Sequence, residues 1–164
     1  MIQLKNILVA TDFSEPSQVA LEYGRNLARS YAATLHVLHV VEDVTMRYSA
    51  EVAFAIPDIL NDMERRATRE LDATITADDA RTLDVKKAIH ISIGAATGIT
   101  EYAKANAIDV IVVGTHGRGA IQHLVMGSVA ERVVRTAPCP VLTVREHERD
   151  FIKPDAMCAV GAAS

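Results

Sequence analysis

The chain has 164 residues, 49% of them apolar and 23% charged, with a formal net charge of −4. That length suits one domain able to bury its own core. The negative charge and the scarcity of aromatic residues (three Phe, four Tyr, no Trp) argue against nucleic acid as the main partner. A phosphate backbone demands a basic footprint, and single strands demand stacking platforms.

The opening residues, MIQLKNILVATDF, are not expected to form a secretory signal. Their apolar run is short, and Thr11 and Asp12 follow it directly. The sequence has no run of about 18 apolar residues, so no membrane insertion is expected. Two cysteines, Cys139 and Cys158, make no disulfide framework and predict reduced thiols in a cytoplasm.

In chain order, short β-branched runs alternate with longer amphipathic segments. NILVA, residues 6–10, predicts a buried strand. A turn over residues 11–16 follows, with Ser14 as candidate N-cap and Glu15 and Pro16 in the first helical turn. The helix is expected to reach about Ala32, with Ala20, Tyr23, Leu27 and Tyr31 as its apolar stripe. Residues 35–41 (LHVLHVV) predict the second strand. Residues 42–57 read as an insertion or loop closed by Pro57.

Residues 58–77 predict a second long helix, with Leu60, Met63, Ala67, Leu71 and Ile75 at helical spacing. A third strand is expected over residues 85–93 and a helix from about Thr97 to Asn106. Residues 109–114 (DVIVVG) form the most apolar strand. After a loop come a short helix, Ser128–Thr136, a turn over 137–140, and a fifth strand, 141–145. Residues 1–145 are expected to form one α/β domain. Residues 146–164 have no periodicity and predict a tail.

Strands alternating with helices imply right-handed crossovers and a parallel sheet covered on both faces. The fold class is therefore α/β: a single, open, doubly wound sheet of five parallel strands. In such sheets ligands bind beyond the carboxyl ends of the strands, where strand order reverses. Given an order of 3-2-1-4-5, that point lies between the end of strand one, Thr11 and Asp12, and the loop after strand four.

That loop reads GTHGRGAIQHLVMGS, residues 114–128. Its glycines follow Gly-x2-Gly-x9-Gly, with a serine directly after the third. Gly114 and Gly117 are expected to supply close approach and positive φ. Gly127 and Ser128 open a helix whose first amides are unpaired and whose dipole favours an anion. Ser128 can cap the helix or donate to a phosphate oxygen. Arg118 and His116 are the cationic candidates. The loop is not a Walker A motif, because it lacks the lysine. It is not a dinucleotide fingerprint either, because ATDFSE, with no glycine, follows strand one.

With these residues in view, the chain resembles the universal stress proteins. The resemblance rests on KNILVATDFSEPS, LHVLHVVE and VVGTHGRG…MGSVAERVVRTAPCPVLTVR, and spans roughly residues 5–145. The complete glycine pattern resembles the ATP-binding branch of that family. The resemblance implies the 3-2-1-4-5 sheet of an adenine nucleotide alpha hydrolase-like fold, a homodimer, and a site for ATP, ADP or AMP with Mg2+ or Mn2+. Asp12 would lie at the ribose or the metal-bound phosphates. Ala10 and Thr11 would line the adenine side, and Val40 would meet the base through its backbone. Val113 and Gly114 would flank the ribose. His116, Gly117 and Arg118 would begin the phosphate cradle, and Gly127, Ser128 and Val129 would finish it.

Several residues also have plainer readings. Asp12 could close an Asx turn. His36 and His39 lie on opposite faces of one strand, which argues against a shared metal. Cys139 between two prolines reads as a structural thiol. Glu64, Arg65, Arg66, Arg69 and Glu70 read as a solvated helix face.

Three functions stay open on sequence. The first is a nucleotide-binding stress or signalling switch with slow hydrolysis at most. Fast phosphoryl transfer needs a cation clamp and a residue that positions water, for which the loop offers only Arg118 and Gln122. The second is an ATPase or nucleotidyl-transfer enzyme. The third is a ligand-free interaction module. Under the assumed order the fifth strand is an edge with nothing to blunt it, which predicts a dimer through Val141–Val144.

Overall fold

The computed structural model describes residues 2–43, 45, 56–116 and 126–145. Its elements are β1 (Asn6–Ala10), α1 (Glu15–Tyr31), β2 (Thr34–Glu42), α2 (Ile56–Thr74), α3 (Ala77–Thr82), β3 (Val85–Ser92), α4 (Ala95–Ala105), β4 (Val110–Gly114), α5 (Ser128–Thr136) and β5 (Val141–Val144). The five strands form one parallel sheet in the order β3-β2-β1-β4-β5.

The strand sequences explain that order. Ile7, Leu8 and Val9 of β1 and Ile111 and Val112 of β4 are fully buried. Their apolar runs offer both faces a core, as a central parallel strand must. On one face β1 and β2 pack against α1 and α2 through Ile7, Val9, Leu35, Val37, Leu21 and Leu71. On the other, Leu8, Leu38 and Ile111 meet Ile99 of α4 and Val133 of α5. β3 lies at an edge, and its Lys86 and Lys87 are exposed. Charges there discourage pairing with another chain.

The apolar stripe expected for α1 is only partly right. Ala20 and Tyr23 are buried, but Tyr31 is 43% exposed. Smaller residues make the closest approach to the sheet. A Cβ on Gly24 would collide with the Val9 side chain. The helix ends on Ala32 in the left-handed conformation (φ 51°), whose N–H caps the Ala28 and Arg29 carbonyls.

The long helix expected over 58–77 is two helices. α2 begins earlier, at Ile56, and stops at Thr74. Thr76 then starts α3. Its hydroxyl accepts from the Asp79 N–H, and the Asp79 carboxylate accepts from the Thr76 N–H. This capping box satisfies two otherwise unpaired amides and outweighs continuation of α2. Asp79 is 1% exposed and also accepts from Arg25 Nε at 2.9 Å. Arg25 reaches the Thr74 carbonyl at 2.8 Å as well, so one buried guanidinium joins α1 to the α2–α3 corner.

Of the expected loop over 42–57, Glu42 belongs to β2, and Ile56 and Pro57 to α2. Most of the remainder lies outside the described residues, as do Gly117, Arg118, Gln122, Cys158 and the expected tail over 146–164. Among the described residues no helix is long and apolar enough to cross a membrane.

Candidate functional site

The carboxyl ends of β1 and β4 lie side by side, since Val9 pairs with Val112. The chain leaves β1 through a tight turn. The Thr11 N–H continues the ladder to the Leu38 carbonyl at 2.9 Å. The buried Thr11 hydroxyl accepts from the Phe13 N–H at 3.0 Å and lies 3.0 Å from Ser17 Oγ. Asp12 Oδ1 accepts from the Ser14 N–H at 3.1 Å and from the Ser14 hydroxyl. Asp12 thus closes an Asx turn and stands at the switch point as well, so the two readings of this residue are compatible. Ser14 occupies the N-cap position of α1, but its side chain does not cap the helix. Its hydroxyl is spent on Asp12.

Phe13 adopts φ 65°, the left-handed region that a bulky side chain seldom enters. Its ring stacks on His39 with centroids 4.5 Å apart. The two rings also wall a groove of about 690 Å³ between the end of β2 and the face of α2 that runs from Asp58 to Glu70. His36 sits on the opposite face, as strand alternation requires. It is 1% exposed, and its Nδ1 lies 3.0 Å from the Tyr102 hydroxyl of α4. His36 Nε2 is buried without a partner. Burial lowers its pKa, Lys86 adds to the effect, and Asp84 opposes it. Among the described residues no three His, Cys, Asp or Glu side chains cluster as metal ligands.

On the β4 side, the Gly114 backbone meets the start of α1. A Cβ there would lie 2.9 Å from the Pro16 carbonyl oxygen and 3.2 Å from that of His116. Close approach is therefore what requires Gly114. The positive φ expected at Gly114 is not found, and Gly117 lies outside the described residues. Thr115 is buried, and its N–H donates to the Val144 carbonyl at 2.8 Å. Its hydroxyl lies 3.0 Å from His116 Nδ1.

The Thr115 carbonyl accepts from the Gly127 N–H at 2.7 Å. The two ends of the long loop thus meet, although eleven residues separate them in sequence. Gly127 is the N-cap of α5, with φ −71° and ψ 152°. The first bond of that helix runs from the Glu131 N–H to the Gly127 carbonyl at 3.0 Å. The amides of Ser128, Val129 and Ala130 therefore have no intrahelical acceptor, and they crown the positive end of the helix dipole. Ser128 and Val129 are exposed and half-buried Gly127 is their anchor. Ser128 is the first helical residue and not the cap.

Of the residues expected from sequence, Ala10, Thr11, Asp12, Val113, Gly114, His116, Gly127, Ser128 and Val129 fall on the ends of β1 and β4 and on the α5 N-terminus. Val40 lies on β2, close to its carboxyl end, where Gly98 lets α4 approach. A Cβ on Gly98 would come within 2.7 Å of the Val40 side chain. Pro16, Ser17, His39 and Thr115 support the site and escaped sequence reasoning. Of these, only Ser17 carried a readable signal: a hydroxyl placed across the tight turn from Thr11.

The sequence profile described as the universal stress protein family matches residues 3–145. The chain belongs to the universal stress protein family. Within it, the chain is 35% identical to universal stress protein A homolog 1 of Coxiella burnetii, over 85% of this chain and 95% of that one. It is 31% identical to a universal stress protein of Methanocaldococcus jannaschii, over 89% of this chain and 85% of that one. The solved universal stress protein of Lactobacillus plantarum superposes with a TM-score of 0.77 at 28% identity, covering 88% of this chain and all of that one. The five-stranded fold is therefore shared with that solved protein.

Proposed function

We propose that this chain binds an adenine nucleotide where β1, β4 and α5 meet, and that it acts as a nucleotide-dependent dimeric switch in a cytoplasmic stress response. ATP with Mg2+ or Mn2+ is the ligand the glycine pattern favours, and ADP or AMP would fit the same groups. The observation that carries the reading is the 2.7 Å bond between Gly127 N–H and Thr115 carbonyl. It sets the α5 N-terminus against the end of β4, so that first-turn amides face the switch point of the sheet.

The residues present suit the ligand. Free helix amides take phosphate oxygens without any lysine. Asp12 offers a carboxylate for the ribose or a phosphate-bound metal, the chemistry that a hard cation selects. Ala10, Thr11 and Val40 would line the base, with Val113 and Gly114 at the ribose. His116, Gly127, Ser128 and Val129 would hold phosphates, joined by Gly117 and Arg118 from the segment outside the described residues. Two solved universal stress proteins of this fold are complexes, one with cAMP and one, from Archaeoglobus fulgidus, with dAMP. At 24% and 19% identity they speak for the fold, and the reading rests on the residues of this chain.

Holding a nucleotide needs only the cradle, whereas rapid hydrolysis needs a cation clamp and a group that positions water. The reading is therefore of a binder that hydrolyses slowly at most. Protein purified without added nucleotide is extracted with acid, and the extract is read by mass. Calorimetry with Mg-ATP and a phosphate-release assay follow. A bound adenine nucleotide, or saturable heat with turnover below about 1 per second, is the expected result. An empty extract together with flat heat would leave a ligand-free interaction module. Fast phosphate release would make the chain an enzyme.

A further inference from the structure

Asp12 is presented by a turn that an isolated chain would not favour. Phe13 sits at φ 65°, which costs a residue with a Cβ on the order of 1 kcal/mol. Something outside the turn must hold it there. The hydrogen bonds within the turn, Phe13 N–H to Thr11 Oγ1 and Ser14 N–H to Asp12 Oδ1, are local and move with it. One external hold comes from β2. His39 Nδ1 lies 2.8 Å from the Thr11 carbonyl oxygen, and the same imidazole stacks on Phe13, 4.5 Å between centroids and 26° between planes.

One side chain thus grips both residues that flank Asp12. A carbonyl oxygen can only accept, so His39 Nδ1 must carry the proton. β2 is a nine-residue strand with neighbours on both sides, hence a rigid support.

We infer that His39 is a positioning residue for the nucleotide site. Its Nδ1–H fixes the Thr11 carbonyl and its ring fixes Phe13, and together they set where the Asp12 carboxylate stands. The inference rests on the nucleotide reading above, and it predicts that loss of His39 damages the metal-dependent part of binding first.

The test uses the full chain and three variants. His39→Leu removes both donor and ring. His39→Asn keeps a side-chain N–H donor. Tyr102→Phe removes the hydroxyl beside the other strand histidine, His36, on the opposite face, and controls for general loosening. ATP affinity is measured by calorimetry in Mg2+ and in EDTA, beside melting curves and 15N spectra of the imidazoles. His39→Leu should weaken Mg-ATP binding about tenfold, the equivalent of one well-placed hydrogen bond. It should also draw the ratio of the two dissociation constants toward one. His39→Asn should recover most of the loss, Tyr102→Phe should leave the ratio unchanged, and the free protein should hold its proton on His39 Nδ1.

If the wild-type chain binds no adenine nucleotide in either buffer, the nucleotide reading falls and this inference with it. If it binds and His39→Leu matches it, the inference alone is overturned. The same follows if Tyr102→Phe flattens the ratio equally, or if the Nδ1 proton is missing.

Discussion

The carbonyl oxygen of Thr115 accepts a 2.7 Å hydrogen bond from the backbone N–H of Gly127. That single bond turns a sequence motif into a place. Thr115 is tied to β5 through its own N–H and the Val144 carbonyl, so the helix start is pinned to the sheet and not merely to the loop. An anion at the α5 N-terminus would therefore meet amides held in position beforehand, at little cost in ordering.

The two glycines at this junction should respond differently to substitution. A Cβ at Gly114 would lie 2.9 Å from the Pro16 carbonyl oxygen and 3.0 Å from its carbon. Both are backbone atoms and neither can swing away. Gly114→Ala should destabilise the fold by roughly 1–3 kcal/mol, the range for overpacking. A Cβ at Gly127 would lie 3.1 Å from the Thr115 oxygen, a contact that a few tenths of an ångström relieve, and its φ of −71° suits any residue. Gly127→Ala should melt near wild type, while the bulkier Gly127→Val should lose nucleotide affinity. Melting curves beside calorimetry check this. An unchanged melt for Gly114→Ala would mean that the close approach is not needed.

Arg25 and Asp79 form a buried pair, with side chains 7% and 1% exposed and nitrogen to oxygen at 2.9 Å. Asp79→Ala breaks the capping box and leaves the buried Arg25 with only the exposed Glu22 and the Thr74 carbonyl, so it should cost about 3 kcal/mol in urea unfolding. Asp79→Asn should cost less, because it still accepts from the Thr76 N–H. Burial alone would raise the Asp79 pKa, but the Thr76 hydrogen bonds and Arg25 bring it below the usual carboxylate value. A depressed carboxylate stabilises the fold fully above its unfolded value, about 3.9. That contribution is lost as pH falls from there through the folded value. Asp79→Asn should flatten the stability curve in that acid range.

His36 acts at milder acidity. The fold holds it neutral, with a pKa lowered mainly by burial. The unfolded chain protonates near pH 6.5. Between that value and the lower folded one, the unfolded state binds the extra proton, so stability falls as pH falls. For one group the slope stays below roughly 1.4 kcal/mol per pH unit. Above about pH 6.5 the contribution is complete. Urea titrations from pH 7.5 to 5 should show stability falling with pH in the wild type and lose this His36 share of the fall in His36→Gln. A slope unchanged in the variant would assign the effect elsewhere.

Much of the fold was legible because buried parallel strands are written as unbroken apolar runs. NILVA and DVIVVG need no partner information to be recognised as central. The α2–α3 break was legible too, in Thr76-x-x-Asp79, but the helical spacing through Ile75 masked it. The Arg25–Asp79 pair was not legible, since its members lie 54 positions apart and nothing in either local sequence names the other. At the site, sequence identified the residues that could face a ligand. It missed those that stand behind them, Pro16, Thr115 and His39, because support is a matter of distance and not of residue type. For Gly114 it named close approach, which holds against the Pro16 carbonyl, together with a positive φ that the residue does not adopt.

The last prediction concerns the dimer proposed through Val141–Val144. Among the described residues β5 pairs only with β4, and the ladder decides which of its groups are spent. The Ile111 N–H donates to the Pro140 carbonyl and the Thr115 N–H to the Val144 carbonyl. In a parallel ladder alternate residues turn their backbone groups to the same neighbour, so Pro140, Leu142 and Val144 face β4. Val141 and Thr143 turn their N–H and C=O toward the open edge. Pairing with a second copy would use those groups, and a proline at either position would remove one donor without touching the β4 ladder. Thr143→Pro should therefore convert dimer to monomer while the fold persists, as light scattering with circular dichroism would report. Thr143→Val, which keeps the N–H, should stay dimeric. A dimer that survives Thr143→Pro would have to form through another surface, the exposed Val134 of α5 being one apolar group on hand.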